Sequence, residues 1–312
     1  MEFVLLFPGQ GSQKPGMGKD LADAFPAAKS VFDAADQALG VSLSTFMFEG
    51  PAEELTLTHN AQPALLVHGA AVWGVVRDMI AKRVVAAAGH SLGEFTAYYA
   101  AGSLSVGDAV KLVRRRGELM YETGTKRPGA MAAILGDTSR SIEDICAQAT
   151  EDAGTVVPAN YNCPGQLVIS GESPGVERAM ELCKASGAKR AIKLNVSGAF
   201  HSPLMEPAKD GLRAALDAAR FSDPSFPVFA NVNGAPVNDA ATARQRLVDQ
   251  LVSPVRWTEE ITAIAATFPD ATFVEMGPGN VLSGLVKRIA PTVTTMTCGT
   301  AAEATHLLEL AA

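Results

Sequence analysis

The sequence predicts an α/β protein: a parallel-sheet large domain with an inserted, ferredoxin-like (βαββαβ) small domain. Three observations carry this. Short apolar strands alternate with helical segments as far as Tyr121, the grammar of a parallel sheet with helical crossovers. After the turn-rich stretch Gly124-Thr125-Lys126-Arg127-Pro128-Gly129 the order becomes strand, helix, two strands about a Cys163-Pro164-Gly165 turn, helix, strand, which is the ferredoxin-like order. Beyond His201 the strand–helix alternation resumes. The expected division is residues 1–127 and 198–312 for the large domain and residues 128–197 for the small one.

In chain order, Phe3 to Phe7 is a continuous apolar run, the pattern of a buried strand, ended by the Gly/Pro/Gln-rich loop Pro8 to Gly18. Asp20 to Leu39 and Ala61 to Ile80 read as helices, with Pro63 tolerable near a first turn. Arg83 to Ala88 is a short apolar strand that runs into Gly89-His90-Ser91-Leu92-Gly93 and then a helix through Ala101. Ser105 to Tyr121 is a further helix with Asp108 near its start. The small domain is read as strands Ala130–Leu135, Val156–Asn160, Gln166–Ser170 and Ala191–Val196, with helices Ser141–Thr150 and Pro174–Ser186. The last part is read as helix Leu204–Ala219, strand Val228–Val232, helix Ala243–Leu251, strand Thr272–Glu275, helix Val281–Ile289, strand Val293–Thr297 and helix Ala302–Leu310.

Composition narrows the function classes. With 47% hydrophobic and 19% charged residues the chain is ordinary globular material, and a net charge of −7 argues against a general nucleic-acid binder. The four cysteines, Cys146, Cys163, Cys183 and Cys298, form no CxxC pair and no zinc-like spacing with histidine, so no metal is expected. The first residues carry an acid, Glu2, where a secretory leader needs a basic region, and Pro8-Gly9 ends the apolar run early. No run of about 18 apolar residues stands out. The expectation is a soluble cytoplasmic protein without a membrane partner.

Gly89-x-Ser91-x-Gly93 is the G-x-S-x-G pattern, with a strand entering and a helix leaving. A sharp strand-to-helix turn forces its central residue into strained backbone angles, and flanking glycines remove Cβ atoms that would clash. The strain lifts the serine hydroxyl toward substrate, and the helix aims its first N–H groups at the same place, where an oxyanion would form.

A serine nucleophile needs a base. Of the five histidines, His59 and His68 read as capping or packing residues, and His306 lies among leucines in the last helix. His90 adjoins the serine but points away from it, so it lines the pocket or holds the elbow. His201 lies in the loop Val196-Ser197-Gly198-Ala199-Phe200-His201-Ser202-Pro203 between a strand and a helix, where catalytic groups are often carried; the plainer reading is a loop that caps the next helix. No nearby acid presents itself as a third member, so a main-chain carbonyl could fix the imidazole tautomer.

In the helix Ser105–Tyr121 the residues Ala109, Leu112, Val113, Leu119 and Met120 make one apolar face, and Arg116 falls within it. An inward guanidinium keeps its charge and needs an anionic partner. That partner is either a protein acid such as Glu94 or Glu118, or a substrate carboxylate held in a bidentate clamp.

Taken together, these stretches resemble the malonyl-CoA:acyl-carrier-protein transacylases over essentially the whole chain. The resemblance runs through Phe7-Pro8-Gly9-Gln10-Gly11-Ser12-Gln13, Gly89-His90-Ser91-Leu92-Gly93-Glu94, Arg116-Gly117 and Gly198-Ala199-Phe200-His201-Ser202. It continues through Asn231-Val232-Asn233-Gly234, Gln250-Leu251-Val252-Ser253-Pro254-Val255-Arg256-Trp257 and Glu275-Met276-Gly277-Pro278-Gly279. It implies a hydrolase-like α/β large domain, Ser91 as nucleophile, His201 as base and Arg116 as partner of the malonyl carboxylate. It further implies an oxyanion hole from the main-chain N–H groups of Gln10 and Leu92, and a histidine-orienting carbonyl at Gln250. Phe200 would crowd an α-methyl branch. The implied substrates are malonyl-CoA and the phosphopantetheine thiol of acyl carrier protein, in fatty-acid or polyketide synthesis, with no tightly bound cofactor. The sequence does not reveal an oligomeric state, and a monomer is the expectation. Lys126/Arg127, Lys189/Arg190 and Lys287/Arg288 are candidate contacts for these acidic partners. A serine thioesterase and a non-catalytic acyl-binding module are the rival readings.

Overall fold

The computed structural model describes residues 1–312. Its strands are β1 (Phe3–Phe7), β2 (Val84–Gly89), β3 (Ala130–Leu135), β4 (Val156–Cys163), β5 (Gln166–Gly171), β6 (Arg190–Lys193), β7 (Val228–Phe229), β8 (Pro236–Val237), β9 (Thr272–Glu275) and β10 (Thr294–Thr297). They form two sheets, one in the order β10-β9-β1-β2-β7-β8 and one in the order β4-β5-β3-β6. In the first, the strands from β10 to β7 are parallel, and only the edge strand β8 runs against its neighbour. Helices cover both faces, so the central β1 is buried at all five residues, which is why it reads as an unbroken apolar run. The second sheet is antiparallel throughout, in the strand order that a ferredoxin-like βαββαβ chain adopts. The fold class is therefore the predicted one, a parallel-sheet core plus an antiparallel sheet.

The site follows from the parallel sheet. Strands β1 and β2 pair with Phe7 opposite Gly89, so the Pro8–Gly18 loop and the Gly89–Gly93 turn leave the same carboxyl edge side by side, where ligands of open α/β sheets bind. Strand β4 reaches the large sheet's connections. The Tyr161 N–H donates to the Val255 carbonyl (2.9 Å) and the Val255 N–H donates to the Ala159 carbonyl (2.8 Å), so the antiparallel sheet is pinned beside that edge.

Several boundaries differ from expectation for local reasons. The helix expected at Asp20–Leu39 is two helices, Lys19–Ala24 and Pro26–Leu39, because Pro26 starts a new first turn after an extended Phe25. Helices Leu43–Glu49, Ala52–Thr56 and Trp257–Thr267 were not anticipated; the first two are too short for a periodic signal. The Ser105 hydroxyl caps its helix by accepting from the Asp108 N–H (3.0 Å). That helix, Val106–Lys126, takes in the first half of the expected turn, and Gly124 lies within it as the close-approach residue, since a Cβ there would collide with the Ser197 carbonyl. Val228–Val232 shrinks to β7, and Ala191–Val196 to β6. Leu204–Ala219 is a 3-10 segment, Pro203–Ala208, followed by the α-helix Lys209–Ala218, since Pro207 has no N–H to give the ladder.

The helix Thr58–Ile80 also differs from expectation: an 18-residue window within Thr58–Arg83 has a mean hydropathy of 1.4, apolar enough by length and composition to cross a membrane. Residues from both of its faces are buried here, 67% of the apolar window, because it packs as a central core helix against Val106–Lys126 and Pro26–Leu39.

Candidate active site

The turn after β2 is as tight as the G-x-S-x-G pattern requires. A Cβ on Gly89 would run into the Gly93 main chain, and one on Gly93 would run into the Phe7 carbonyl. Ser91 has φ 53°, and the one other non-glycine residue with positive φ is His201, at 57°. Left-handed backbone is costly for residues with a Cβ, and here it falls on the two residues that face each other. Ser91 Oγ lies 2.8 Å from His201 Nε2. The other imidazole nitrogen, Nδ1, lies 2.9 Å from the Gln250 main-chain carbonyl, so it carries the proton and leaves Nε2 free to accept from the serine. No acid completes the pair.

The loop that carries His201 also does what the plainer reading expected. Ser202 Oγ donates to the Ala199 carbonyl (2.7 Å) and accepts from the Leu204 N–H (3.3 Å), starting the 3-10 segment. Burial, with the Arg116 charge, lowers the His201 pKa from 6.5 to about 3. The imidazole is neutral throughout the physiological range.

Arg116 is 1% exposed and points inward. Its Nη1 donates to Gln62 Oε1 (2.6 Å), and its Nη2 donates to Gln250 Oε1 (2.9 Å) and to Ser91 Oγ (3.0 Å). Its Nε has no acceptor, and the guanidinium lies over the Phe95 ring. Burial pulls its pKa down to about 10, against the pull of Glu94, and it stays charged at neutral pH. Of the two acids considered as protein partners, Glu118 pairs with Arg115 at 3.4 Å on the exposed side, and Glu94 reaches Arg116 only through an intervening amide. Arg115 points to solvent, whereas Arg114 is half-buried and donates to Asn60 Oδ1 (2.6 Å).

Beneath the elbow lies a cluster of buried polar groups. Gln250 Nε2 donates to the Ser91 carbonyl (3.0 Å), to Glu94 Oε2 (2.6 Å) and to Asn231 Oδ1 (3.2 Å). Asn231 Oδ1 accepts from the Ser91 N–H (2.8 Å), and its Nδ2 donates to the Gly89 carbonyl (2.8 Å) and Glu260 Oε1 (2.9 Å). This cluster holds the strained turn from below. Gln250 is its hub, with a side chain tying Arg116 to the elbow and a main-chain carbonyl tying down His201.

The remaining predicted residues fall around the same cleft, a cavity of about 410 Å³ bordered by Gln10, Leu92, Arg116, Phe200 and His201. The main-chain N–H groups of Gln10 and Leu92 donate to no protein acceptor, while the neighbouring N–H of Ser91 is taken by Asn231 and that of Gly11 by Gln13. His90 turns away from Ser91. Its Nε2 lies 2.9 Å from Asn162 Oδ1 on β4, which ties the elbow to the antiparallel sheet. Phe200 is 6% exposed and forms part of the cleft wall. The basic pairs Lys126/Arg127, Lys189/Arg190 and Lys287/Arg288 are all exposed.

Sequence reasoning missed Gln62, Asn162, Asn231 and Glu260 as parts of the site. Gln62 is a polar residue just before the apolar run of a largely buried helix, and that mismatch was a usable signal. Asn162 and Glu260 lay in segments with no local mark.

An acyl transferase is the class of protein that this fold and site define: the acyl transferase domain family matches residues 4–299. Among curated proteins, the malonyl CoA-acyl carrier protein transacylase of Bacillus subtilis is 50% identical over 294 residues, covering 92% of this chain and 90% of its own. The Escherichia coli K12 protein of the same name is 44% identical, covering 94% of each. Among solved structures, an acyl-carrier-protein S-malonyltransferase from Bartonella henselae superposes with a TM-score of 0.95 at 43% identity, covering 100% of this chain and 99% of its own. A malonyl-transacylase in complex with a type II polyketide-synthase acyl-carrier protein superposes with a TM-score of 0.94 at 42% identity, covering 99% and 100%. The chain belongs to the malonyl-CoA:acyl-carrier-protein transacylase family.

Proposed function

We propose that this protein transfers the malonyl group from malonyl-CoA to the phosphopantetheine thiol of an acyl carrier protein, through a malonyl-Ser91 intermediate, in the supply of fatty-acid synthesis. The observation that carries this reading is one hydroxyl between two groups: Ser91 Oγ has the His201 imidazole at 2.8 Å and the Arg116 guanidinium at 3.0 Å. An imidazole there activates a nucleophile, and a buried guanidinium there selects an acyl group ending in a carboxylate.

In the first half-reaction Ser91 Oγ attacks the thioester carbonyl while His201 Nε2 takes its proton. The oxyanion is stabilised by the Gln10 and Leu92 N–H groups, and the C–S bond then breaks as His201 returns the proton to sulfur, so coenzyme A leaves as the thiol. The second half-reaction repeats these steps with the carrier's thiol attacking the malonyl ester and Ser91 leaving. Arg116 lets go of Ser91 Oγ to take the malonyl carboxylate. That pairing also cancels part of the positive field that lowers the His201 pKa, so the correct substrate raises the basicity of the base when it is needed. An acetyl group brings no anion and leaves the field in place.

We read residues 128–197 as the domain inserted between residues 1–127 and 198–312. The four cysteines are buried free thiols, which supports a reducing cytoplasm. Large apolar side chains that reach solvent, such as Val41, Met79 and Val281, lie in separate segments of the chain, which supports action as a monomer away from membranes.

Intact-protein mass spectrometry after mixing with malonyl-CoA or acetyl-CoA, without an acceptor, tests the reading. The expected result is one malonyl group per chain, lost in the Ser91→Ala variant, with far less acetyl adduct. No adduct on the wild type, or equal labelling of the variant, overturns it.

A further inference from the structure

Arg116 is a buried cation without a carboxylate in contact. Its acceptors are two neutral amides and a hydroxyl. The anion closest to it by bonded contacts is Glu94, one amide away: Arg116 Nη2 donates to Gln250 Oε1 (2.9 Å), and Gln250 Nε2 donates to Glu94 Oε2 (2.6 Å). Glu94 is fully buried, also accepts from the Asn231 N–H (3.1 Å), and has a second oxygen, Oε1, with no partner. The bridging amide is polarised at both ends, so the two charges sense each other without touching.

We propose, resting on the reading that the acyl carboxylate takes Arg116, that Glu94 is the exchangeable counter-charge of that guanidinium. It is partly ionised in the free enzyme at neutral pH and protonated once the malonyl carboxylate arrives, so that malonylation of Ser91 takes up part of a proton from solvent. The transfer itself is proton-neutral, because the Ser91 proton leaves on the coenzyme A thiol. The extra proton goes to Glu94.

The surroundings allow either state. From the helix Val106–Lys126 Glu94 is faced by Arg116, and from Ala240–Asp249 by Arg246. From Trp257–Thr267 it is faced by Glu260, and from its own helix by Tyr98. Glu260 has its pKa pushed well above the usual carboxylate range by burial and by Glu94 itself, against the pull of the Asn231 amide. Burial raises Glu94 to about 7 against the opposing pull of Gln250, the Asn231 N–H and Arg116, which sets its two forms close in energy at neutral pH. A malonyl carboxylate on Arg116 is a second anion around one cation, and it drives Glu94 toward its neutral form. It also clears a negative charge from beneath the elbow before the oxyanion develops there.

The test mixes enzyme with malonyl-CoA, without acceptor, in weakly buffered indicator solution from pH 6 to 8. Intact-mass analysis of the same samples counts the malonyl-enzyme. The expected result is uptake of a fraction of a proton per malonyl-enzyme formed, greatest at and just above pH 7. The equilibrium for malonylation should fall by up to about tenfold per pH unit over that interval. Glu94→Gln should be malonylated with no proton uptake and a flat profile. A wild type that is malonylated without proton uptake anywhere in the range overturns the proposal, as does a Glu94→Gln enzyme that takes up protons like the wild type. Should Glu94→Gln not fold, the wild-type proton count alone decides. Absence of any malonyl adduct on the wild type is a separate outcome, and it removes the underlying reading along with this one.

Discussion

The two sheets bury different material. The antiparallel sheet packs its helices over Ala132, Ile134, Ile145, Ile169, Val176 and Cys183, with no charged side chain inside. The parallel sheet buries Arg116, Glu94, Glu260 and His201 within one polar cluster under its elbow. Removing charged groups from water costs several kcal/mol each unless hydrogen bonds and opposite charge compensate. One unit of the molecule is therefore built for packing, and the other spends part of its stability on holding reactive groups in place. The contrast predicts that substitutions under the elbow act mainly on chemistry, and those in the antiparallel sheet mainly on stability.

The sharpest break comes at Ser91. Ser91→Ala removes the group that carries the acyl chain and should lower transfer by about 10⁴-fold or more, with the thermal midpoint little changed, since alanine keeps the Cβ and the left-handed backbone of the turn. Steady-state transfer assays and thermal denaturation check both halves. Arg116→Ala comes next. It deletes the cation that holds the carboxylate, and should cost malonyl transfer about 3–5 kcal/mol while narrowing the preference over acetyl. A kcat/KM ratio for malonyl- and acetyl-CoA that does not change would remove Arg116 from selection. On the other side of the contrast, Ile169→Ala empties part of the dry core. It should destabilise by about 2–5 kcal/mol in denaturant titration and leave the malonyl-to-acetyl ratio as it was. A changed ratio would mean that the antiparallel sheet shapes the acyl pocket as well as bordering it.

The sequence made the elbow legible because its signal is local. Two glycines flank a serine between an apolar strand and a helix, and every clash that enforces this pattern lies within a few residues or on β1. Arg116 was legible for a similar reason, as a charge out of place on an apolar helical face. His201 and Gln250 sit 49 residues apart, and nothing in the local chemistry of either loop declares that a carbonyl meets an imidazole; the family resemblance supplied that pairing. Asn162 and Glu260 act through contacts made only when β4 and the helix Trp257–Thr267 are packed. The alternation of strands and helices gave the architecture, while helices of five and seven residues passed unseen because one or two turns carry no periodicity.

The smallest effect tests the contrast through acid. His201 and His68 are both buried neutral, with pKa values lowered by burial from 6.5 to about 3 and about 4. Both belong to the parallel-sheet unit. In the unfolded chain each imidazole takes a proton near pH 6.5, and in the folded chain it does so only far below. At these two groups the unfolded state binds more protons between these values, so the stability they contribute is fully present above pH 6.5 and is lost as pH falls toward 4. Glu94, raised to about 7, works against them over the same range, so the change between variants is the informative quantity. His201→Asn should remove up to about one proton of the histidine contribution to the slope, while Ile169→Ala should shift the whole curve downward without altering it. Denaturant titrations at several values between pH 4 and 7 measure the slope directly. A slope unchanged in His201→Asn would mean that its imidazole protonates readily in the folded protein, and that the ring is less sheltered than its packing against Gln250 and Arg116 implies.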